Sequence, residues 1–335
     1  MKILVTGGTG LVGSTLIHLL LEKGYTQIKA LVRENSDKSL LGSKVNQIEW
    51  IKGDLLDTYS LEEAMMDTDV VFHCAALVSF VPKDAKKIME MNLQGTANLV
   101  NVALFQNVQK LIYVSSIAAI HGDTEWIDEK NYFNYNSSYS TYGLSKFLAE
   151  QEVWRGFAEG LKGAIVNPGI ILGAGFWDNG PLGLIKMVDK GFPFYPTGIT
   201  GFVDVRDVAE FMIKAFENEV NEERFVLVAE NATYQKVLSM MALNLGKKPP
   251  KFPIHPILRK TISGILRLIS LFGIHPNLIS PESLEGSAQK NKYNHSKSLQ
   301  IEGFSYRTIE ETILETAQAY LDSKVTGQNF GSFFS

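Results

Sequence analysis

The chain has 335 residues, 45% of them hydrophobic and 20% charged, with 32 basic against 36 acidic side chains and a formal net charge of -4. At roughly 100 to 200 residues per domain this suits one large domain or two sharing a core, and the near-neutral balance lacks the basic excess that nucleic-acid backbones demand. The lone Cys74 excludes a disulfide scaffold and points to a reducing cytoplasm, no apolar run reaches the roughly 18 residues of a membrane span, and the amino terminus breaks into glycines too early for a signal peptide.

In chain order, short aliphatic runs at residues 3–5, 28–32, 48–51, 70–73, 111–114 and 164–166 predict strands buried on both faces. Amphipathic stretches at 11–23, 61–66, 84–105 and 138–157 predict the helices between them. Alternation of this kind specifies an α/β fold with a doubly wound parallel sheet. Glycine and proline then crowd residues 168–201, after which a helix at 207–217, a strand at 225–228, a helix at 234–245 and a last helix at 309–321 are expected. The reading is a Rossmann domain over residues 1–170 and a smaller α+β substrate lobe over 171–325, with chain crossovers between them allowed. A tail follows at 326–335. The apolar and basic segment 257–274 fits a helix packed on its own lobe, with a membrane surface or a substrate channel as alternatives.

The first chemical signal directly follows the first strand: Thr6-Gly7-Gly8-Thr9-Gly10-Leu11-Val12-Gly13. Gly7 permits a tight turn, Gly10 lets backbone approach a pyrophosphate, and Gly13 lets helix and strand pack closely, while the helix amino terminus offers free N–H groups to phosphate. At the end of the second strand, where a carboxylate would hold the ribose hydroxyls of NAD, this chain carries Arg33. A guanidinium suits the 2'-phosphate of NADP, with Ser36 and Lys38 assisting. A solvent-facing Arg33 is the competing reading, and Glu34 keeps NAD open. Asp54, followed by Leu55 at the end of the third strand, is placed either to accept from an adenine amino group or to cap a helix.

The second signal is Tyr142 and Lys146, four apart within a helix and so on one face. A phenol is a poor base near neutrality, and an adjacent ammonium favours its phenolate, bringing a proton donor and acceptor into a useful range. Ser115 and Ser116 end the fifth strand, at the edge where such sheets bind ligands, placed to hydrogen-bond a substrate carbonyl or merely to form a turn.

With these motifs the chain resembles an extended short-chain dehydrogenase/reductase of the NAD-dependent epimerase/dehydratase superfamily, most like its dihydroflavonol-4-reductase-like branch. TGxxGxxG is matched by residues 6–13, YxxxK by 142–146, and the later FVDVxDVA by 202–209. His73-Cys-Ala-Ala76 resembles the loop that flanks the cofactor, implicating Ala75 and Ala76. Residues 167–173 resemble the stretch beside the nicotinamide, implicating Pro168, Gly169 and Ile171. The resemblance implies that Tyr142 is the acid/base, that Lys146 holds the nicotinamide ribose, that Ser116 orients the carbonyl, and that Asn92 organises a water linking Lys146 to solvent. Asn167 departs from the arginine common there, and His121-Gly122 lies one residue later than the glycine in some relatives, which leaves Ser115 as the alternative serine.

The expected function is NADP(H)-dependent reduction of a ketone or aldehyde, or oxidation of the alcohol. A small apolar or aromatic substrate is expected because residues 168–257 hold only Arg206 and Arg224 but also Phe176, Trp177, Phe192, Phe194, Tyr195 and Phe202. A sugar-nucleotide epimerase or dehydratase with bound NAD would need arginines to clamp a diphosphate, and a non-catalytic dinucleotide-sensing regulator would typically lose the tyrosine or lysine. Asp207 is read as the cap of a helix starting at Val208, the six histidines lack metal-ligand spacing, and Cys74 is read as a small buried filler. A homodimer stays open beside a monomer.

Overall fold

In the computed structural model, which describes residues 1–122, 125–131, 140–270 and 280–334, seven parallel strands form the central sheet. They are β1 (Ile3–Thr6), β2 (Ile28–Val32), β3 (Glu49–Lys52), β4 (Val70–His73), β5 (Lys110–Val114), β7 (Lys162–Pro168) and β11 (Glu223–Leu227), with β6 (Trp126–Ile127) outside this sheet. The spatial order is β3-β2-β1-β4-β5-β7-β11. Strand order reverses between β1 and β4, so a crevice opens at their carboxyl ends, where doubly wound sheets bind ligands.

Successive strand residues point to opposite faces, and each face has its own core. Ile3 and Val5 join Leu16 and Ile17 of α1 (Leu11–Glu22) and Phe211 of α7 (Val205–Glu217). Leu4 and Tyr113 join the other layer, built from α2 (Thr58–Met65), α4 (Gly95–Phe105) and α5 (Thr141–Ala158). The edge strand β3 departs from the expected two-sided burial, because it pairs only with β2 and leaves Glu49 and Lys52 exposed.

Three other expectations change. The strand expected at 225–228 within the later lobe is β11 of the main sheet, paired with β7 from Glu223↔Ala164 to Leu227↔Pro168. Its apolar residues fit there because Phe225 and Leu227 enter one core and Val226 another. The helix before β11 begins at Val205, not Val208, and its cap is Asp204, whose carboxylate accepts from the Arg206 N–H at 2.7 Å. Asp207 lies in the first turn and accepts instead from the Arg307 N–H at 2.8 Å. The helix expected over 84–105 is split into α3 (Ala85–Met89), a π-helical segment Glu90–Gln94 and α4.

The remaining chain covers the crevice. β8 (Ile170–Leu172), β10 (Ile199–Asp204) and β12 (Glu230–Thr233) form a three-stranded sheet; β9 (Phe194–Tyr195) pairs with β13 (Phe252–Pro253), and β14 (Lys292–Tyr293) with β6. Around them lie α6 (Gly183–Asp189), α8 (Tyr234–Asn244), α9 (Pro256–Ser270), α10 (Pro281–Gly286) and α11 (Ile309–Thr326). Trp177 and Phe202, among the aromatics expected at a substrate, are buried in the core made with α8 and α11. Of the apolar segment 257–274, Leu258 and Ile262 line the cavity below, whereas the side chains of Leu268, Ile269, Leu271, Phe272 and Ile274 lie outside the described residues. No described helix is long and apolar enough to cross a membrane.

Candidate active site

A cavity of about 2420 Å³ runs along the carboxyl ends of the strands, from the glycine loop to Tyr142 and on under α9. Gly7 takes a φ of +71°, and a Cβ there would lie 2.7 Å from the Ala75 nitrogen, so only glycine permits this turn. A Cβ on Gly13 would meet the Gly7 carbonyl oxygen at 2.2 Å. Gly13 thus packs against the loop itself and not against the strand as expected. Gly10 is the N-cap of α1 and supplies no side-chain cap, which leaves first-turn N–H groups for an anion. The loop is anchored from below by His73, whose ring nitrogens bond the Thr6 hydroxyl at 2.7 Å and the Thr96 hydroxyl at 3.0 Å. Burial and Lys146 push the His73 pKa down to about 3, so the ring is neutral.

Thr9, Leu11 and Val12 line this end of the cavity, as do Arg33, Ser36, Asp54, Leu55, Ala75 and Ala76. Arg33 is the only arginine among the described lining residues. Glu34 is held by Lys52 at 2.7 Å, and Lys38 sits over the Trp50 ring at 4.4 Å, outside the lining. Asp54 does not cap α2, a role taken by Asp57; its carboxylate accepts from the Leu56 N–H at 2.9 Å. The glycine cradle, the uncapped helix end and the arginine at the far rim fit a dinucleotide.

At the other end, α5 starts from Ser140, whose hydroxyl accepts from the Gly143 N–H at 3.0 Å. A Cβ on Gly143 would approach the Ala118 carbonyl oxygen to 2.7 Å, so this glycine lets α5 close on the turn carrying Ser116. Ser116, Tyr142 and Lys146 then line one wall, with Ser115, Pro168, Gly169 and Ile171 beside them. Ser116 also accepts from the Ala118 N–H at 3.1 Å, so it both forms the turn and faces the cavity. Lys146 donates to the Val114 carbonyl oxygen at 2.8 Å, and burial pulls its pKa down to about 7. The expected lowering of the phenol is not found in this arrangement. Burial pushes Tyr142 up to about 12, opposed only by a hydrogen bond with Ser116. Burial likewise pushes Cys74 up to about 12, as suits an inert thiol.

Asn92 is buried in the π-helical segment, a distortion often found at functional positions. Its amide oxygen accepts from the Leu77 N–H at 2.8 Å, and its nitrogen donates to the Leu77 carbonyl at 3.0 Å and to the Ser145 hydroxyl at 2.9 Å. It therefore clamps the loop after β4 to the residue preceding Lys146.

Sequence reasoning missed several neighbours. Phe80 packs edge-on against Tyr142 with ring centroids 5.6 Å apart. Glu150, one turn beyond Lys146, is fully buried and bonded to Asn167 and Arg224. Its i+4 spacing was the available signal, but a glutamate in a helix ordinarily faces water. Arg224 is thus committed to Glu150, and Arg206 to Asp204 at 2.7 Å, so neither faces the cavity. Phe176, Phe192 and Phe194 do line it.

The NAD dependent epimerase/dehydratase family model matches residues 3–228. A provisionally named dihydroflavonol 4-reductase of Synechocystis is 30% identical over 322 residues, covering 93% of this chain and 92% of that protein. Cinnamoyl-CoA reductase 1 of Petunia hybrida is 31% identical over 271 residues, 75% of this chain and 78% of that one. The solved structure of gox2253 superposes with a TM-score of 0.83 at 29% identity, covering 98% of this chain and 99% of the other. With a family match that spans both the glycine loop and the tyrosine–lysine helix, the chain belongs to the NAD dependent epimerase/dehydratase family.

Proposed function

We propose that this oxidoreductase uses NADPH to reduce the ketone or aldehyde of an apolar or aromatic small molecule, with the alcohol as the substrate of the reverse reaction. One observation carries the reading: Ser116, Tyr142 and Lys146 share a cavity with Phe80, Phe176, Phe192 and Phe194, and the only arginine among its described lining residues is Arg33, just past the end of β2. A diphosphate-bearing substrate would need cationic clamps beside these rings, and Arg206 and Arg224 are taken up by Asp204 and Glu150. The volume also exceeds the roughly 300–1,000 Å³ of a typical single-ligand pocket, which leaves room for a substrate of some size beside a dinucleotide.

A nicotinamide bound here would supply the hydride for reduction or accept it in oxidation. Gly7, Gly10 and the α1 N–H groups would hold the pyrophosphate, and Arg33 the 2'-phosphate. Ser116 donates to the substrate carbonyl oxygen and Tyr142 delivers the proton to that oxygen, for which a phenol protonated at neutral pH is the right form. Lys146 steadies the phenolate left behind and would bond the ribose. Asn92, through Ser145 and Leu77, keeps Lys146 and the loop after β4 in register and would organise a water linking Lys146 to solvent. Pro168, Gly169 and Ile171 would flank the nicotinamide, and Phe80, Phe192 and Phe194 would shape the substrate end.

A screen of ketones, aldehydes and alcohols with NADPH and NADH tests this reading. NADPH-dependent turnover of apolar carbonyls that disappears in Tyr142→Phe is expected; activity confined to sugar nucleotides would overturn it.

A further inference from the structure

The Glu150 carboxylate lies at the meeting point of four elements that carry the site. It projects from α5, one turn beyond Lys146 and two beyond Tyr142, and is fully buried. From β7, the Asn167 amide donates to one carboxylate oxygen at 2.5 Å and also to the Ser116 carbonyl at 3.0 Å, which reaches the end of β5. From β11, Arg224 donates to the other oxygen at 3.2 Å. Arg224 is itself buried and anchored by donation to the carbonyls of Glu129, at 2.8 Å, and Asn131.

We propose that Glu150, held by Arg224 and Asn167, is the positioning residue of the site: it sets the tyrosine–lysine helix against the serine strand and is the counter-charge of Lys146. This deepens the reading above and rests on it only for what Lys146 does in turnover. An ammonium in an apolar setting loses its proton unless an anion lies near. The titratable groups facing Lys146 are Tyr142 and Glu150 on α5, Tyr113 on β5, and His73 and Cys74 at the end of β4. Tyr113 offers only its ring face, 4.3 Å from the Lys146 nitrogen. Burial keeps both phenols and the thiol protonated and His73 neutral, so none of these four carries charge at neutral pH. Glu150 alone of the set is paired with a guanidinium, and its charge favours the Lys146 ammonium. Burial pushes the Glu150 carboxyl up, and Arg224 and Asn167 oppose that. The route runs from Arg224 to Glu150, then to Lys146, and finally to the phenol.

The test is an NMR titration of Lys146 in the cofactor-free full chain with ¹³C-labelled lysine, assigned by Lys146→Arg. Glu150→Gln keeps the shape and removes the charge, and the Lys146 midpoint is expected to fall by about one pH unit. Arg224→Met is expected to move it the same way, because burial then neutralises the Glu150 carboxyl, and to destabilise the fold by leaving that buried polar group without its partner. The pair Glu150→Gln with Arg224→Met separates the two effects: thermal stability recovers from that of Arg224→Met, while the midpoint stays low. A wild-type midpoint in Glu150→Gln, or in the double variant if the single one does not fold, overturns the proposal. Absence of carbonyl reduction in the wild type would instead overturn the functional reading and leave this titration standing.

Discussion

The Lys146 ammonium docks on the Val114 carbonyl oxygen at 2.8 Å, so the end of β5 and the catalytic helix are joined by the lysine itself. The same strand end continues into Ser116. Lys146 thereby ties together the serine and the tyrosine that the proposed chemistry needs, and it is buried enough that its charge depends on its surroundings.

Removing the phenolic hydroxyl with Tyr142→Phe should lower kcat/KM for carbonyl reduction by about 10²- to 10⁴-fold, the usual contribution of a general acid. NADPH affinity, followed by fluorescence titration, should stay within a few-fold of the wild type. Undiminished turnover would show that another group delivers the proton.

Arg33 lines the cavity just past the end of β2, whereas Glu34 is paired with Lys52. Arg33→Ala should weaken NADPH by about 10- to 100-fold, as expected for loss of charge-assisted hydrogen bonds, and leave NADH nearly unchanged. Competitive titration with both nucleotides measures the ratio. Equal losses for the two would assign Arg33 to something other than the 2'-phosphate.

Gly13 has no room for a methyl group, because a Cβ would press on the Gly7 carbonyl at 2.2 Å. Gly13→Ala should cost roughly 1–3 kcal/mol through overpacking and reduce dinucleotide binding by shifting the loop. Gly24→Ala is a different control: space is open there and only a φ of +86° opposes it, so stability should fall with binding preserved. Chemical denaturation and nucleotide titration of both variants separate the two effects.

His73 is neutral in the fold, with a pKa near 3 against an ordinary 6.5. Between those values the unfolded chain binds a proton that the folded chain refuses. Stability is therefore complete above about pH 6.5 and declines as pH falls toward 3. Thermal midpoints of His73→Gln should show a shallower decline than the wild type across that window. Two parallel curves would mean that the ring is not the source.

Much of this molecule was legible in residue order because the decisive information was local. A tight turn demands Gly7 and the close approach of the loop only six residues earlier demands Gly13, a spacing of four puts Tyr142 and Lys146 on one helix face, and two-sided strands write themselves as aliphatic runs. Asp207 misled because two aspartates three apart are both plausible caps, and only the backbone decides that Asp204 is the one used. Phe225–Leu227 misled because a strand's partner is not encoded next to it; β11 reaches β7 after the chain has built β8 to β10.

The sequence by itself determined the fold class, the glycine loop and the tyrosine–lysine pair, and narrowed the serine to Ser115 or Ser116, since each follows from steric or chemical demands within a few residues. Only the tertiary structure decided how those groups are charged and held. Lys146 on Val114, Asn92 on Leu77 and Ser145, and Glu150 between Asn167 and Arg224 are contacts between residues far apart in the chain or hidden from water. Desolvation acts on a group only through what the fold packs around it, and for that reason the phenol expected to be lowered is instead raised.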